Sequence, residues 1–358
     1  MTRKIFLNFM MAIGGLIGGL LIAELLLMVF KPQPVYVTEA PRIFFIRHDP
    51  LLGWANLEGA EGVYDPHTAM PKSYVKINQQ GYRGELLREK KTGRQRVLFL
   101  GGSHTFGLGV DEIDRYSNLI VTKSKGSIEQ INLGVVGYSP DMQALQLESK
   151  GMSYHPDSIV VAVSAGDLSD VMNSVSDGSS KPFFKFFGDR LMVQNAPVPE
   201  KSFQIPSNSM SSALKKAAYQ YSHLYRFALA RISPLNKYTS NSVVEMSEGD
   251  ALNVMTALLT GMRDISVENK LRFYVVLIPN GMWLESLANR PGEMPGYFSI
   301  LRKLLLRNGI TVIDPAEQLL RSAKEGQELF FDKDPVHLNA YGHRIIAEVV
   351  YPYLASSQ

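Results

Sequence analysis

The chain has 358 residues, with 37 Lys and Arg against 34 Asp and Glu, 45% hydrophobic residues and no Cys. That apolar content excludes a disordered chain, and the length suits one large α/β domain with additions or two ordinary domains. A net charge of +3, with no basic run of five, gives a nucleic-acid partner no electrostatic support.

The absence of Cys removes disulfides, thiolate nucleophiles and the usual structural zinc sites, without identifying the compartment.

After Met1-Thr2-Arg3-Lys4, an apolar run extends from Ile5 to Phe30 with Asn8 and Glu24 as its only polar members, and Lys31-Pro32 closes it. As a helix it would reach roughly 39 Å, beyond the ~30 Å hydrocarbon core of a bilayer, so residues 5–30 predict a single membrane-spanning anchor. A cleaved signal peptide would end its apolar region after about 7–15 residues, whereas this run continues through LLLMVF. Glu24 is costly at the bilayer centre, which places it near an interface or against another intramembrane protein, the interface being the simpler solution. Gly14, Gly15, Gly18 and Gly19 form two overlapping small-xxx-small pairs, a close-packing surface. Arg3 and Lys4 favour a cytoplasmic amino terminus and an exported body, against which Lys31, Arg42 and Arg47 act.

Residues 1–31 are thus an anchor. Residues 31–41, with three Pro, read as a stiff stalk, and 32–93 as a linker and N-terminal extension to a body spanning 94–358. In the body, Arg96–Leu100 (RVLFL) is a continuous apolar run ending at Gly101-Gly102, as a buried parallel strand should. Residues 128–133, 158–164, 271–279 and 309–314 repeat the pattern, and helical spacing fills 141–152, 251–268, 296–307 and 339–354. Strands alternating with helices predict an α/β parallel sheet covered on both faces, with ligands outside the carboxyl ends of the strands. The stretch 168–250 breaks the rhythm. It is rich in Ser, Asn, Gly and Pro, and reads as an insertion over the sheet edge or active site, or alternatively as a membrane- or partner-facing surface.

Ser103 follows the first strand where a helix should begin. An acyl-transfer nucleophile needs such a place: an exposed hydroxyl beside backbone N–H groups able to hold an oxyanion. A Ser acting only as a helix cap is the bland alternative. Far along the chain, in FFDKDPVHLNAYGHRIIAEVV (330–350), Asp334 and His337 sit three apart just ahead of a helix. His337 can reach a strand-end Ser as a base while Asp334 holds its other ring nitrogen. Taken singly, Asp334 could be a helix-terminal charge and His337 a surface residue. The other candidates are weaker. His48, His67, His155, His223 and His343 lack metal-like spacing apart from Asp65 beside His67, and read as surface or structural. Asp167, of the pair with Asp170, reads as a turn cap. Trp54 and Trp283 read as packing residues, Trp283 with an option on a substrate cleft. No cofactor and no metal are called for.

GGSHTFGLGV (101–110), INLGVVGYSPDMQ (131–143), DSIVVAVSAGDLSD (157–170) and DPVHLNAYGHRIIAE (334–348) together resemble the SGNH, or GDSL-type, hydrolases. The anchor with its Glu, DPLLGW (49–54) and KINQQGYRG (76–84) look like the membrane-anchored bacterial branch of that family. The resemblance covers most of the chain apart from 168–250. It implies a three-layer sandwich around a flavodoxin-like, five-stranded parallel sheet, to which this chain adds one N-terminal transmembrane helix. It also implies Ser103 as nucleophile, His337 as general base and Asp334 as its orienter. The backbone N–H groups of Ser103 and Gly137 would form the oxyanion hole. The family's third donor is an Asn preceding an Asp; here that position is Gly166 before Asp167, and the family's Gly-Asp-Ser reads Gly101-Gly102-Ser103.

The expectation is therefore a membrane-anchored acyl-ester hydrolase or O-acyltransferase, with acetyl as the acyl group. Its substrate would be an acylated glycan, a cell-envelope or secreted polysaccharide, or another ester, and its body would lie in the periplasm. The chain would work alone or with a separate membrane acyltransferase. The rival expectation, motivated by Gly102 and Gly166, is a catalytically impaired domain that binds glycans or scaffolds an envelope polysaccharide assembly.

Overall fold

A computed structural model describes residues 3–31, 43–66, 70–86, 93–176, 179–200, 218, 221–232, 245–289 and 296–355. The stalk residues 32–41, and His67, lie outside them. Contacts divide the chain into two units, residues 1–38 with 205–238 and residues 39–204 with 239–358.

The second unit holds a five-stranded parallel sheet made of Gln95–Leu100, Ile128–Asn132, Ser158–Ser164, Arg272–Ile278 and Thr311–Ile313. Counted along the chain, these strands lie in the order 2-1-3-4-5, the flavodoxin-like arrangement. Successive side chains of a strand point to opposite faces, so the continuous apolar runs supply two cores at once. Leu98, Leu100, Ile159 and Val161 enter one, covered by the helices Pro140–Ser149, Glu248–Glu268 and Phe298–Arg307. Val97, Phe99, Val160 and Val276 enter the other, covered by Tyr116–Lys123, Ala316–Lys324 and Ala340–Ala355. All eight side chains are 4% exposed or less, so truncating one to Ala would leave a cavity costing about 2–5 kcal/mol. This is the three-layer α/β architecture.

Residues before the sheet form two short antiparallel hairpins, Ile46–Asp49 with Gly53–Asn56 and Glu61–Tyr64 with Ser73–Lys76. Their side chains build a separate core in which Phe45 stacks on Phe106, 4.9 Å between ring centroids. Strands of four residues carry too few alternations to stand out in a sequence, which is why this region offers only mixed signals. After the third sheet strand come two more hairpins, Val175–Ser176 with Ser179–Ser180 and Phe183–Phe187 with Arg190–Gln194. The first of the phenylalanines in PFFKFF, Phe183, is buried in the core beside the helix Glu248–Glu268.

The first unit contains the helix Arg3–Phe30, whose Met10–Phe30 portion, with mean hydropathy 2.3, is long and apolar enough to cross a membrane. It also contains the helix His223–Ile232, from inside the 168–250 stretch. Glu24 finds partners within its own chain here. Its carboxylate accepts hydrogen bonds from the Ser222 hydroxyl (2.8 Å) and from the backbone N–H groups of His223 (2.5 Å) and Leu224 (2.8 Å).

Candidate active site

The strand Gln95–Leu100 delivers the chain to Gly101-Gly102, and neither position has room for a side chain. A Cβ on Gly101 would stand 2.1 Å from the Thr105 hydroxyl oxygen, and one on Gly102 2.8 Å from the Tyr138 carbonyl oxygen. Gly102 therefore has a steric reason in this chain. Ser103 opens the short helix Ser103–Phe106, which Gly107 ends in the left-handed region at φ +79°. The Gly107 and Leu108 N–H groups both donate to the Ser103 carbonyl, at 2.9 and 3.0 Å.

Two buried guanidinium groups hold the far end of this turn. Arg83 donates to the carbonyls of Phe106 (3.3 Å), Gly107 (2.5 Å), Tyr74 (2.7 Å) and Val110 (2.8 Å). Arg115 donates to the Arg83 carbonyl (2.9 Å), the Ser117 hydroxyl (3.2 Å) and the Asn118 side-chain oxygen (3.0 Å). Burial pulls Arg83 down to about 10 and Arg115 down to about 9, so both stay charged at neutral pH. Cations at the carboxyl end of a helical turn satisfy carbonyls that have no intrahelical donor. Arg83 lies inside the KINQQGYRG segment, but nothing local to that segment signals that its partners are carbonyls from residues 106–110.

His337 comes from the strand Asp334–Leu338, which pairs with Phe330–Phe331 and leads into the helix Ala340–Ala355. The Asp334 carboxylate folds back on its own strand, accepting the Val336 N–H at 2.9 Å and the His337 N–H at 3.2 Å through one oxygen. Its other oxygen lies 2.7 Å from His337 Nδ1. His337 Nε2 lies 2.9 Å from Ser103 Oγ. Burial pushes the Asp334 carboxyl up, but the His337 charge and the hydrogen bonds from His337 and Val336 outweigh it and hold it below its ordinary value. The three residues singled out in the sequence thus form one hydrogen-bonded chain in which a hydroxyl proton has an acceptor and that acceptor has a fixed orientation.

The Val135 N–H donates to the Gly101 carbonyl at 3.1 Å, which lays the turn containing Gly137 against the Gly101-Gly102 corner. Gly137 has φ +81°, a conformation that favours glycine. Gly166 starts the helix Asp167–Val171 at the end of the third sheet strand, and a Cβ there would meet nothing within 4 Å. Asp167 is buried and binds back to that strand, accepting the Ser164 hydroxyl (2.5 Å) and the Ser164 N–H (3.1 Å). Burial, reinforced by Asp170, pushes its carboxyl well above the ordinary value despite those two donors.

The remaining candidates have other tasks. His104 is buried with its ring centroid 5.6 Å from that of His337, and burial holds it well below the ordinary His value. His343 is buried, accepts the Tyr116 N–H at 3.3 Å, stacks on the Tyr116 ring, and is pulled down to about 3 by burial. His48 meets the Val198 carbonyl, Asp65 pairs with Lys72, and Asp170 accepts the Ser176 hydroxyl. Trp54 donates to the Val136 carbonyl, and Trp283 packs edge-on against Tyr297 and Phe298. A cavity of about 340 Å³ lined by Gly281, Leu284, Ala288, Leu320 and Phe330 takes no lining from Ser103 or His337.

One pair was invisible in the sequence. Lys181, between the strands Ser179–Ser180 and Phe183–Phe187, and Asp141, in the first turn of the helix Pro140–Ser149, form an ion pair with both side chains fully buried. Asp141 also accepts the Ser139 hydroxyl at 2.6 Å, two residues beyond Gly137.

No family model matches this chain, and no curated protein matches it. Among solved structures it is similar to the acetyl xylan esterase AlAXEase, at 16% identity and a TM-score of 0.42, over 72% of this chain and 99% of that one. A member of the lipolytic G-D-S-L family from Veillonella parvula aligns at 14% identity and a TM-score of 0.37, over 73% and 98% of the two chains. A catalytic mutant of an acetylxylan esterase from Geobacillus stearothermophilus aligns at 11% identity and a TM-score of 0.40, over 74% and 95%.

Proposed function

We propose that this chain is an SGNH-type serine acyl-ester hydrolase or O-acyltransferase, held at a membrane by residues 5–30, with acetylated cell-envelope or secreted polysaccharide as its substrate. The observation that carries this reading is the pair of contacts Ser103 Oγ to His337 Nε2, 2.9 Å, and His337 Nδ1 to Asp334 Oδ2, 2.7 Å.

Ser103 Oγ attacks the ester carbonyl while His337 Nε2 takes its proton, and Asp334 supports the imidazolium through Nδ1. The oxyanion faces the backbone N–H groups of Ser103 and Gly137. His337 then returns the proton to the leaving alcohol, giving an acyl-Ser103 that water or a sugar hydroxyl resolves. Hydrolysis and transfer use the same groups and differ in which acceptor reaches the acyl-enzyme. Arg3 and Lys4 favour the exported orientation, against Lys31, Arg42 and Arg47, and a separate membrane acyltransferase is a compatible partner as acyl donor.

The lack of a side chain at Gly166 favours a second reading, a glycan-binding domain with impaired catalysis, since one missing oxyanion donor costs about 10²–10³ in turnover. Hydrolysis of 4-nitrophenyl acetate separates the two. Activity lost in both Ser103→Ala and His337→Ala supports the enzyme, whereas a folded native chain with no turnover above either variant supports the binder.

A further inference from the structure

Helices leave their first N–H groups without intrahelical partners, and a carboxylate placed there satisfies them and meets the positive end of the helix dipole. Glu24 does this for the helix His223–Ile232 through Ser222, His223 and Leu224, while the Ser222 hydroxyl accepts the Tyr225 N–H at 3.0 Å. A second contact fixes the direction of the pair: Lys31 Nζ lies 6.0 Å from the centroid of the Phe227 ring. The helix His223–Ile232 therefore starts beside Glu24, points toward Lys31, and runs in the same sense as the helix Arg3–Phe30.

Glu24 lies six residues before Phe30, which is about 9 Å along a helix axis. If Met10–Phe30 fills a bilayer, the second helix starts about 9 Å inside the acyl-chain region and, over its ten residues, crosses the boundary to the headgroups. The chemistry of the surrounding segment agrees. Residues 201–244 contain Lys201, Lys215, Lys216, Arg226, Arg231 and Lys237 but no Asp or Glu, although the whole chain is nearly balanced, and Tyr and Phe lie between them. Basic and aromatic residues are the pair that anionic headgroups and the interfacial layer select.

We propose that the helix His223–Ile232 is a second membrane element, seated across the boundary between acyl chains and headgroups of an anionic bilayer beside the N-terminal helix and fastened there by Glu24. This rests on the anchor being a true membrane span. The chain then meets the lipid through two helices, Arg3–Phe30 and His223–Ile232.

The chain has no Cys, so Tyr221→Cys, at a side chain 76% exposed, gives a single labelling site in the full-length protein. The labelled protein is reconstituted in vesicles of phosphatidylethanolamine with phosphatidylglycerol. An NBD probe at this position should emit blue-shifted and several-fold more strongly than in water, be quenched by lipid carrying a nitroxide midway along its acyl chain, and revert in Glu24→Ala. Retention of the protein through an alkaline wash with a probe that behaves as in water would overturn the second element alone. An unchanged probe in Glu24→Ala would remove Glu24 as the fastening. Release of the native protein by the wash would overturn the anchor and this inference with it.

Discussion

His337 Nε2 sits 2.9 Å from Ser103 Oγ although 234 positions separate the two residues along the chain. The contact exists because a short strand after the fifth sheet strand returns to the same rim at which the first one ends. The Gly101-Gly102 corner and Arg83 hold the Ser103 side of it, and Asp334 holds the His337 side.

Gly166 offers the simplest gain-of-function test. An added Cβ meets nothing within 4 Å, so Gly166→Asn should fold as the native chain does. If the amide side chain supplies a missing oxyanion donor, kcat on an aryl acetate should rise by about 10²-fold with KM little changed. An unchanged kcat would show that another group already occupies that place.

Arg83 should act on the nucleophile without touching it. Arg83→Met removes the guanidinium donor from the carbonyls of Phe106, Gly107, Tyr74 and Val110, leaving Phe106 a long contact from Arg115 (3.5 Å) and Gly107 one from the Val110 N–H (3.4 Å), at a cost of about 3 kcal/mol or more in urea unfolding. Because two of those carbonyls end the Ser103 turn, kcat should fall at least about tenfold in the fraction that remains folded, with KM little changed. Loss of stability with kcat intact would make Arg83 a purely structural residue.

The Lys181–Asp141 pair should be expensive to break by half. Lys181→Met leaves the Asp141 carboxylate fully buried with the Ser139 hydroxyl and the Met142 N–H as its donors among the described residues, and should cost about 3–5 kcal/mol. Lys181→Met with Asp141→Leu should recover part of the loss, since no buried charge is then left alone. Equal stability of the single and double variants would contradict this.

Asp167 gives a pH dependence with a defined sign. Burial raises its carboxyl well above the ordinary 3.8, so the folded chain holds this proton to a higher pH than the unfolded chain does. Its contribution to stability is whole below about pH 3.8 and is lost as pH rises through the raised folded value. Asp167→Asn cannot ionise, so its stability relative to the native chain should increase from pH 4 to pH 7.5 in paired urea titrations. A difference independent of pH would show that Asp167 ionises as easily inside the fold as outside it.

What the sequence disclosed, and what it hid, follows from where each signal resides. RVLFL and its four counterparts are buried on both faces, so continuous apolarity marks the sheet strands without any knowledge of neighbours. Ser103 is legible because it stands at the end of such a strand, and Asp334 and His337 because they share a short motif just ahead of a helix. Arg83, Arg115, Lys181 and Asp141 are not, because their partners are carbonyls or charges brought near only by folding, and in isolation each looks like a solvated surface residue. Glu24 was visible as an anomaly in an apolar run, but its partner lies some two hundred residues away and carries no mark of its own.

The most direct test is a fluorophosphonate adduct mapped by mass spectrometry on the folded chain. If the contact among Ser103, His337 and Asp334 is a working nucleophile, one adduct per chain should form on Ser103, and labelling should fall by about 10³-fold or more in His337→Ala. An unmodified Ser103 in a chain whose 2.9 Å contact is intact, or an adduct formed equally well without His337, would contradict the account.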